Sequence, residues 1–195
     1  MKKLLTGILL MAVLIAARSV FTAHAAKQPP VIPQISPVFT PQVQRWNPLI
    51  QAWSIAYGLN ANLIATVMQI ESCGDPQIGS SAGAQGLFQV MPFHFQGDEN
   101  PLDPVTNGKR AMLYLAHVYH RTGGDIGLTL AAYNGGESVL YKDVSRWANE
   151  TVRYVTWGST IYQDSLSGKP SSQMLRKWLD AGGSSLCKRA ARDLS

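Results

Sequence analysis

The chain has 195 residues, 46% of them hydrophobic and 15% charged, and a formal net charge of +5. That length supports one globular domain with a proper core and leaves two cramped. The charge falls to +2 once Lys2, Lys3 and Arg18 are set aside with the leader read below, so no basic stripe speaks for a nucleic-acid partner. Approach to an anionic polymer stays compatible with so weak an excess.

Lys2 and Lys3 precede an apolar run from Leu4 to Ala17, and Ala23-His24-Ala25 supplies a small-residue cleavage site. Residues 1–25 therefore read as a signal peptide removed after Ala25, and the product as periplasmic or secreted. The run falls short of the roughly 20 apolar residues of a spanning helix, and Arg18 closes it. No cysteine sits at the cleavage site, which argues against a lipid anchor. Residues 26–42 hold Pro29, Pro30, Pro33, Pro37 and Pro41 and read as an extended Pro-rich spacer.

The folded part is expected from Val43. Asn47-Pro48 reads as the cap and first turn of a helix with Leu49, Ile50, Trp53 and Tyr57 on one stripe, stopped by Gly58. Asn60 caps the next helix, in which Leu63, Val67, Ile70 and Glu71 share a face. The pattern that buries the leucine and valine turns the Glu71 carboxylate inward, where burial would raise its pKa and suit it to proton transfer near neutrality. The plain alternative is a helix-end glutamate facing water.

Residues 74–86 are rich in Gly, Ser and Ala, but neither a GxxxxGK[ST] nor a GxGxxG pattern occurs, so no phosphate loop is expected. Asp103-Pro104 opens a helix to about Thr122, with Met112, Leu115, Ala116 and Tyr119 on one face. His117 and His120 lie on it without a third ligand, so no metal is expected. Asp125 caps a helix to Tyr133 that breaks at Asn134-Gly135-Gly136; Asn149 caps another to about Tyr162; Ser171 or Ser172 caps a last one carrying Leu175, Trp178 and Leu179. Outside the 77–86 loop no period-2 pattern occurs. The expected fold is mostly α, a single domain around one cleft. Cys73 and Cys187, an even count in an exported chain, predict one disulfide, with two separate buried thiols as the alternative.

Three stretches, Glu71-Ser72, then Gly86-Leu87-Phe88-Gln89-Val90-Met91-Pro92, then Ala132-Tyr133-Asn134-Gly135-Gly136, resemble in order and spacing the soluble lytic transglycosylase family. The resemblance covers about Asn47 to Ile161. It implies an α-rich, goose-type lysozyme-like fold with a substrate cleft, and cleavage of the MurNAc-GlcNAc β-1,4 bond of peptidoglycan without hydrolysis, leaving 1,6-anhydro ends. No cofactor is implied. Carried over by position, it makes Glu71 the single catalytic acid and later base, and sets Ser80 near the substrate N-acetyl group. Gln89 and Met91 become cleft residues holding the sugars, Tyr133 and Asn134 flank the glutamate, Tyr154 faces the cleft and Glu150 is structural. Bracing of the loop for Gln89, packing for Met91 and a core position for Tyr133 remain the structural alternatives. The implied catalytic domain spans 43–165, with 166–195 a C-terminal helical extension. Partners are peptidoglycan glycan strands and, as a further class, an envelope or secretion machinery, with the protein a monomer. The rival readings are a hydrolytic lysozyme on the same fold and a non-catalytic glycan-binding envelope subunit.

Overall fold

Four helices begin at a polar side chain that accepts an otherwise unpaired amide of the first turn: Asn60 from Asn62, Asp103 from Thr106, Asp125 from Leu128 and Ser172 from Leu175. The computed structural model describes residues 34–192. Within them run α1 (Pro41–Gln44), α2 (Asn47–Tyr57), α3 (Ala61–Glu71), α4 (Pro104–Arg121), α5 (Ile126–Gly135), α6 (Asn149–Leu166), α7 (Gln173–Trp178) and α8 (Ser184–Arg192). Short 3-10 turns cover Pro92–His94, Glu137–Tyr141 and Val144–Arg146. The fold is mostly α, as expected. Among the described residues, extended pairing is limited to two isolated bridges, Gly79 with Gln85 and Gln85 with Val90. No described helix is long and apolar enough to cross a membrane.

Two expected caps fall one residue early. Asn47 and Asn149 stand inside α2 and α6, behind Trp46 and Ala148, which make no side-chain cap. Asn47 instead accepts the Ile35 amide at 3.3 Å and donates to Gln34 at 2.9 Å.

Helix α3 is the centre of the packing. It contacts α1, α2 and α6, and all of its residues except Asn62 and Glu71 are buried. A helix enclosed on all sides needs no single apolar stripe, which corrects the one-face expectation. Its polar side chains are used as anchors. Asn62 accepts the Ser36 amide at 2.7 Å, and fully buried Gln69 accepts both the amide and the hydroxyl of Thr40 at 3.1 Å.

Those anchors hold a segment expected to be spacer. Residues 1–33, which hold the expected signal peptide and the first three prolines, lie outside the described residues. From residue 34, however, the chain is part of the core: Ile35, Val38 and Phe39 are buried, and Pro41 starts α1. Residues 34–42 are therefore not the expected spacer, because the apolar residues around the later prolines are drawn onto α3.

Helix α5 packs on α4 and α6, and α4 on α2. Gly108 sets the last contact, since a Cβ there would lie 2.1 Å from the Trp53 ring. Trp53 in turn meets Phe88 edge-on, with centroids 5.4 Å apart. The C-terminal extension joins the same core through Leu175, Trp178, Cys187 and Ala190. Cys73 and Cys187 form the disulfide, across 114 residues of sequence. Beside it Arg189 Nε donates to buried Asp75 at 3.2 Å, and Arg45 Nη1 to the Ala190 carbonyl at 3.0 Å.

Closing so long a loop stabilises the fold by roughly 4 to 5 kcal/mol through the unfolded state. A Cys187→Ser protein should lose about 4 kcal/mol in denaturant titration, and reductant should move the wild-type midpoint to the same place without moving the variant. Equal midpoints with and without reductant would refute this.

Candidate active site

Glu71 is the last residue of α3 and, with Asn62, one of the two in that helix that are only partly buried. Burial pushes its pKa up from 4.5 to about 8, against the opposing pull of the Tyr154 hydroxyl and with a smaller push from the Glu150 charge. The negative end of the α3 dipole acts in the same direction as the burial. The carboxyl is therefore held protonated at neutral pH and can donate. Once it has donated, the Tyr154 hydroxyl can help carry the charge.

Tyr154 comes from α6. Its hydroxyl is buried and has no partner in hydrogen-bond geometry, while Glu71 acts on it electrostatically. Tyr133, from the end of α5, also feels Glu71, and burial first and the Glu71 charge second hold its phenol well above its ordinary pKa. Both phenols thus stay neutral beside one acid.

A chain of hydrogen bonds fixes the loop that faces them. Ser72 donates to the Leu87 carbonyl at 2.6 Å and accepts the Gly74 amide at 3.0 Å, which ties the end of α3 to the 86–90 stretch. Tyr133 donates to the Phe88 carbonyl at 2.9 Å. Asn107 of α4, fully buried, accepts the Phe88 amide at 3.0 Å and donates to the carbonyls of Gln85 and Pro101, both at 2.8 Å. Gly86 must be glycine there: its φ is +73°, and a Cβ would lie 2.5 Å from the Asn107 amide nitrogen.

The remaining expected residues divide. Tyr133 and Tyr154 stand with Glu71. Gln89 has a φ of +48°, unusual for a side chain-bearing residue, and its amide nitrogen donates to the carbonyls of Ile78 at 3.2 Å and Gly86 at 3.1 Å. Its NH₂ group therefore braces the loop. Met91 is partly exposed and lines a small cavity with Gln89, His94, Tyr114 and Tyr133. Asn134 accepts the Thr151 hydroxyl at 2.8 Å, joining the end of α5 to the start of α6. Ser80 is exposed and its hydroxyl accepts the Ala84 amide at 3.0 Å, shaping the turn of the 79–85 loop.

Sequence reasoning missed Asn107, Tyr114 and His94. Asn107-Gly108 inside a helix pattern was the available signal for the first, since that pair normally marks a turn. The two rings gave none, because nothing in the spacing of a loop histidine and a helix tyrosine brings them together. His117 Nε2 lies 3.0 Å from Glu137 Oε1, within hydrogen-bond distance. Among the described residues no three His, Cys, Asp or Glu side chains converge as a metal site would require.

A carboxyl whose folded pKa is raised favours the fold below its unfolded value of 4.5 and loses that contribution as pH rises toward about 8. Glu71→Gln removes this dependence. The variant should match or exceed the parent in stability at pH 8, with the difference shrinking toward pH 4.5 in denaturant titrations run across that range. A difference independent of pH would contradict the raised pKa.

Residues 48–154 match the family model described as Transglycosylase SLT domain. The transglycosylase of Enterobacteria phage PRD1 is 35% identical over 112 residues, 56% of this chain and 40% of that one. The soluble lytic murein transglycosylase of Escherichia coli is 30% identical over 103 residues, 47% of this chain and 16% of that one. Among solved structures, an inactive mutant of lytic transglycosylase Slt from Pseudomonas aeruginosa superposes with a TM-score of 0.53 at 24% identity, covering 68% of this chain and 26% of that one. The chain spans less than half the length of each of these relatives. With the family model covering more than half of its residues, the chain belongs to the Transglycosylase SLT domain family.

Proposed function

We propose that the protein is a peptidoglycan lytic transglycosylase in which Glu71 serves as acid and then as base. The observation that carries this reading is the Glu71 carboxyl at the end of α3, its pKa pushed up to about 8 by burial and coupled to two neutral tyrosines. The relatives named as lytic murein transglycosylases support the substrate class. In the first step Glu71 gives its proton to the oxygen of the MurNAc-GlcNAc bond, and that bond breaks. The substrate N-acetyl carbonyl stabilises the sugar cation, so a second protein carboxylate is not needed. Glu71, now a carboxylate, takes the proton from the MurNAc C6 hydroxyl as its oxygen closes on C1, giving the 1,6-anhydro ring. Acid and base are each regenerated by the other step, and no water is consumed.

Tyr154 holds its buried hydroxyl ready for the moment Glu71 is charged, which is how a preorganised donor favours the transition state. Tyr133 and Asn134 close the α5 side of the site, and Met91 lies on the loop side. Ser80 contributes at the substrate N-acetyl group from the 79–85 loop. The leader-like start, with Lys2-Lys3, the apolar run and Ala23-His24-Ala25, supports export and cleavage after Ala25, with action at the cell wall in the periplasm or outside the cell.

A second reading has one observation in its favour. Glu150, exposed at the start of α6, is close enough for its charge to reach Glu71. A hydrolytic lysozyme would use such a carboxylate to activate water. Product mass separates the two: the anhydro product of purified sacculi is lighter by one water than the hydrolytic product.

Glu71→Gln should fold and lose at least about 10²- to 10⁴-fold in cleavage rate, followed by release of soluble muropeptides from sacculi. Residual cleavage at the wild-type rate would remove Glu71 from the mechanism. Tyr154→Phe should fold normally, lower the maximal rate and move the alkaline limb of the pH-rate profile upward, because the hydroxyl it deletes lowers the Glu71 pKa. A limb that stays in place would show that the hydroxyl does not act on the carboxyl.

A further inference from the structure

Four rings stand in series from the acid toward solvent. Tyr133, beside Glu71, lies 5.7 Å from Tyr114 between centroids; Tyr114 lies 4.9 Å from His94; His94 lies 4.6 Å from Phe93. Successive planes are inclined by 42°, 41° and 43°. Its outer end is bare: Phe93 is 76% exposed on the short turn Pro92–His94. A lone exposed phenylalanine needs no explanation, but Phe93 continues a row of rings that leads outward from the site.

Next to the ladder is an open recess of about 260 Å³ walled by His94, Arg110, Leu113, Tyr114 and His117. That is smaller than a drug-sized ligand requires and suits a single ring. Its fixed charge, on Arg110, is already matched. Arg110 holds Glu99 through two hydrogen bonds of 2.7 Å, and His117 meets Glu137 at 3.0 Å. An anionic ligand would have to break the first pair or face Glu137. A neutral, hydroxyl-bearing ring can lay its C–H face on the aromatic rings and exchange hydrogen bonds with groups that stay paired.

We propose that Phe93 and His94 form a stacking shelf that takes one further N-acetylhexosamine ring of the glycan strand, outside the rings that flank Glu71. The inference rests on the peptidoglycan reading above and adds a binding position to it. The shelf lengthens the strand the enzyme grips and leaves the chemical step alone.

The test uses the cleavage-deficient Glu71→Gln protein and β-1,4-linked N-acetylglucosamine oligomers from dimer to hexamer, with affinity measured by calorimetry. Adding Phe93→Ala and His94→Ala should weaken binding of the longest oligomers about five- to tenfold and leave the shortest unchanged, while thermal melting stays the same. His94→Phe, which keeps a ring, should retain the long-oligomer affinity. Loss at every length, or at none, overturns the shelf while leaving the peptidoglycan reading intact. No binding of any oligomer by Glu71→Gln overturns both.

Discussion

The structure depends on ending a fully enclosed helix on an acid. Helix α3 is buried along nearly its whole length, and Glu71, its last residue, keeps only partial exposure. There the helix dipole and the loss of water both disfavour a negative charge. The result is a carboxyl that keeps its proton near neutrality. Only the α6 phenol tempers that, so that the charged form remains accessible when chemistry calls for it.

The surrounding motifs make sense as the means of holding loops around that end. Ser72 follows Glu71 because its hydroxyl can reach the Leu87 carbonyl directly beyond the helix terminus. Gly86 precedes the apolar pair because the chain there needs a positive φ and room for Asn107. Tyr133, near the end of α5, sets its hydroxyl on the Phe88 carbonyl, and its phenol feels the charge of the acid. Three helices and one loop therefore share a few buried hydrogen bonds. Loss of one partner would leave others unsatisfied, which is costlier than the net strength of any single bond.

Much of this was legible in the residues. Caps such as Asn60, Asp103 and Asp125, and stops such as Gly58, are local devices and announce themselves locally. The inward acid was visible too, although the reason given for it, a single apolar face, was too narrow for a helix buried all round. Asn107 escaped notice because its partners are backbone groups six to 22 residues away, and backbone partners leave no mark in side-chain pattern. Residues 34–42 were misjudged for a related reason. Their prolines suggest an extended linker, and only the fold reveals that the intervening Ile35, Val38 and Phe39 have α3 to rest on.

The stretch that identifies the family, 48–154, does not contain everything that positions its glutamate. The turn from Ser72 to Asp75 comes directly after Glu71 and is gripped from both ends of the chain. From the N-terminal side, Trp46 Nε1 donates to the Gly74 carbonyl at 2.9 Å, and Arg45 donates to the same oxygen. From the C-terminal side, Cys187 is bonded to Cys73 and Arg189 to Asp75. Cys73 itself takes a φ of +53°, which an unrestrained cysteine would leave. The described segments outside the family match therefore act on the site through one short turn. They fix where α3 stops, and with it the direction in which its last carboxyl points.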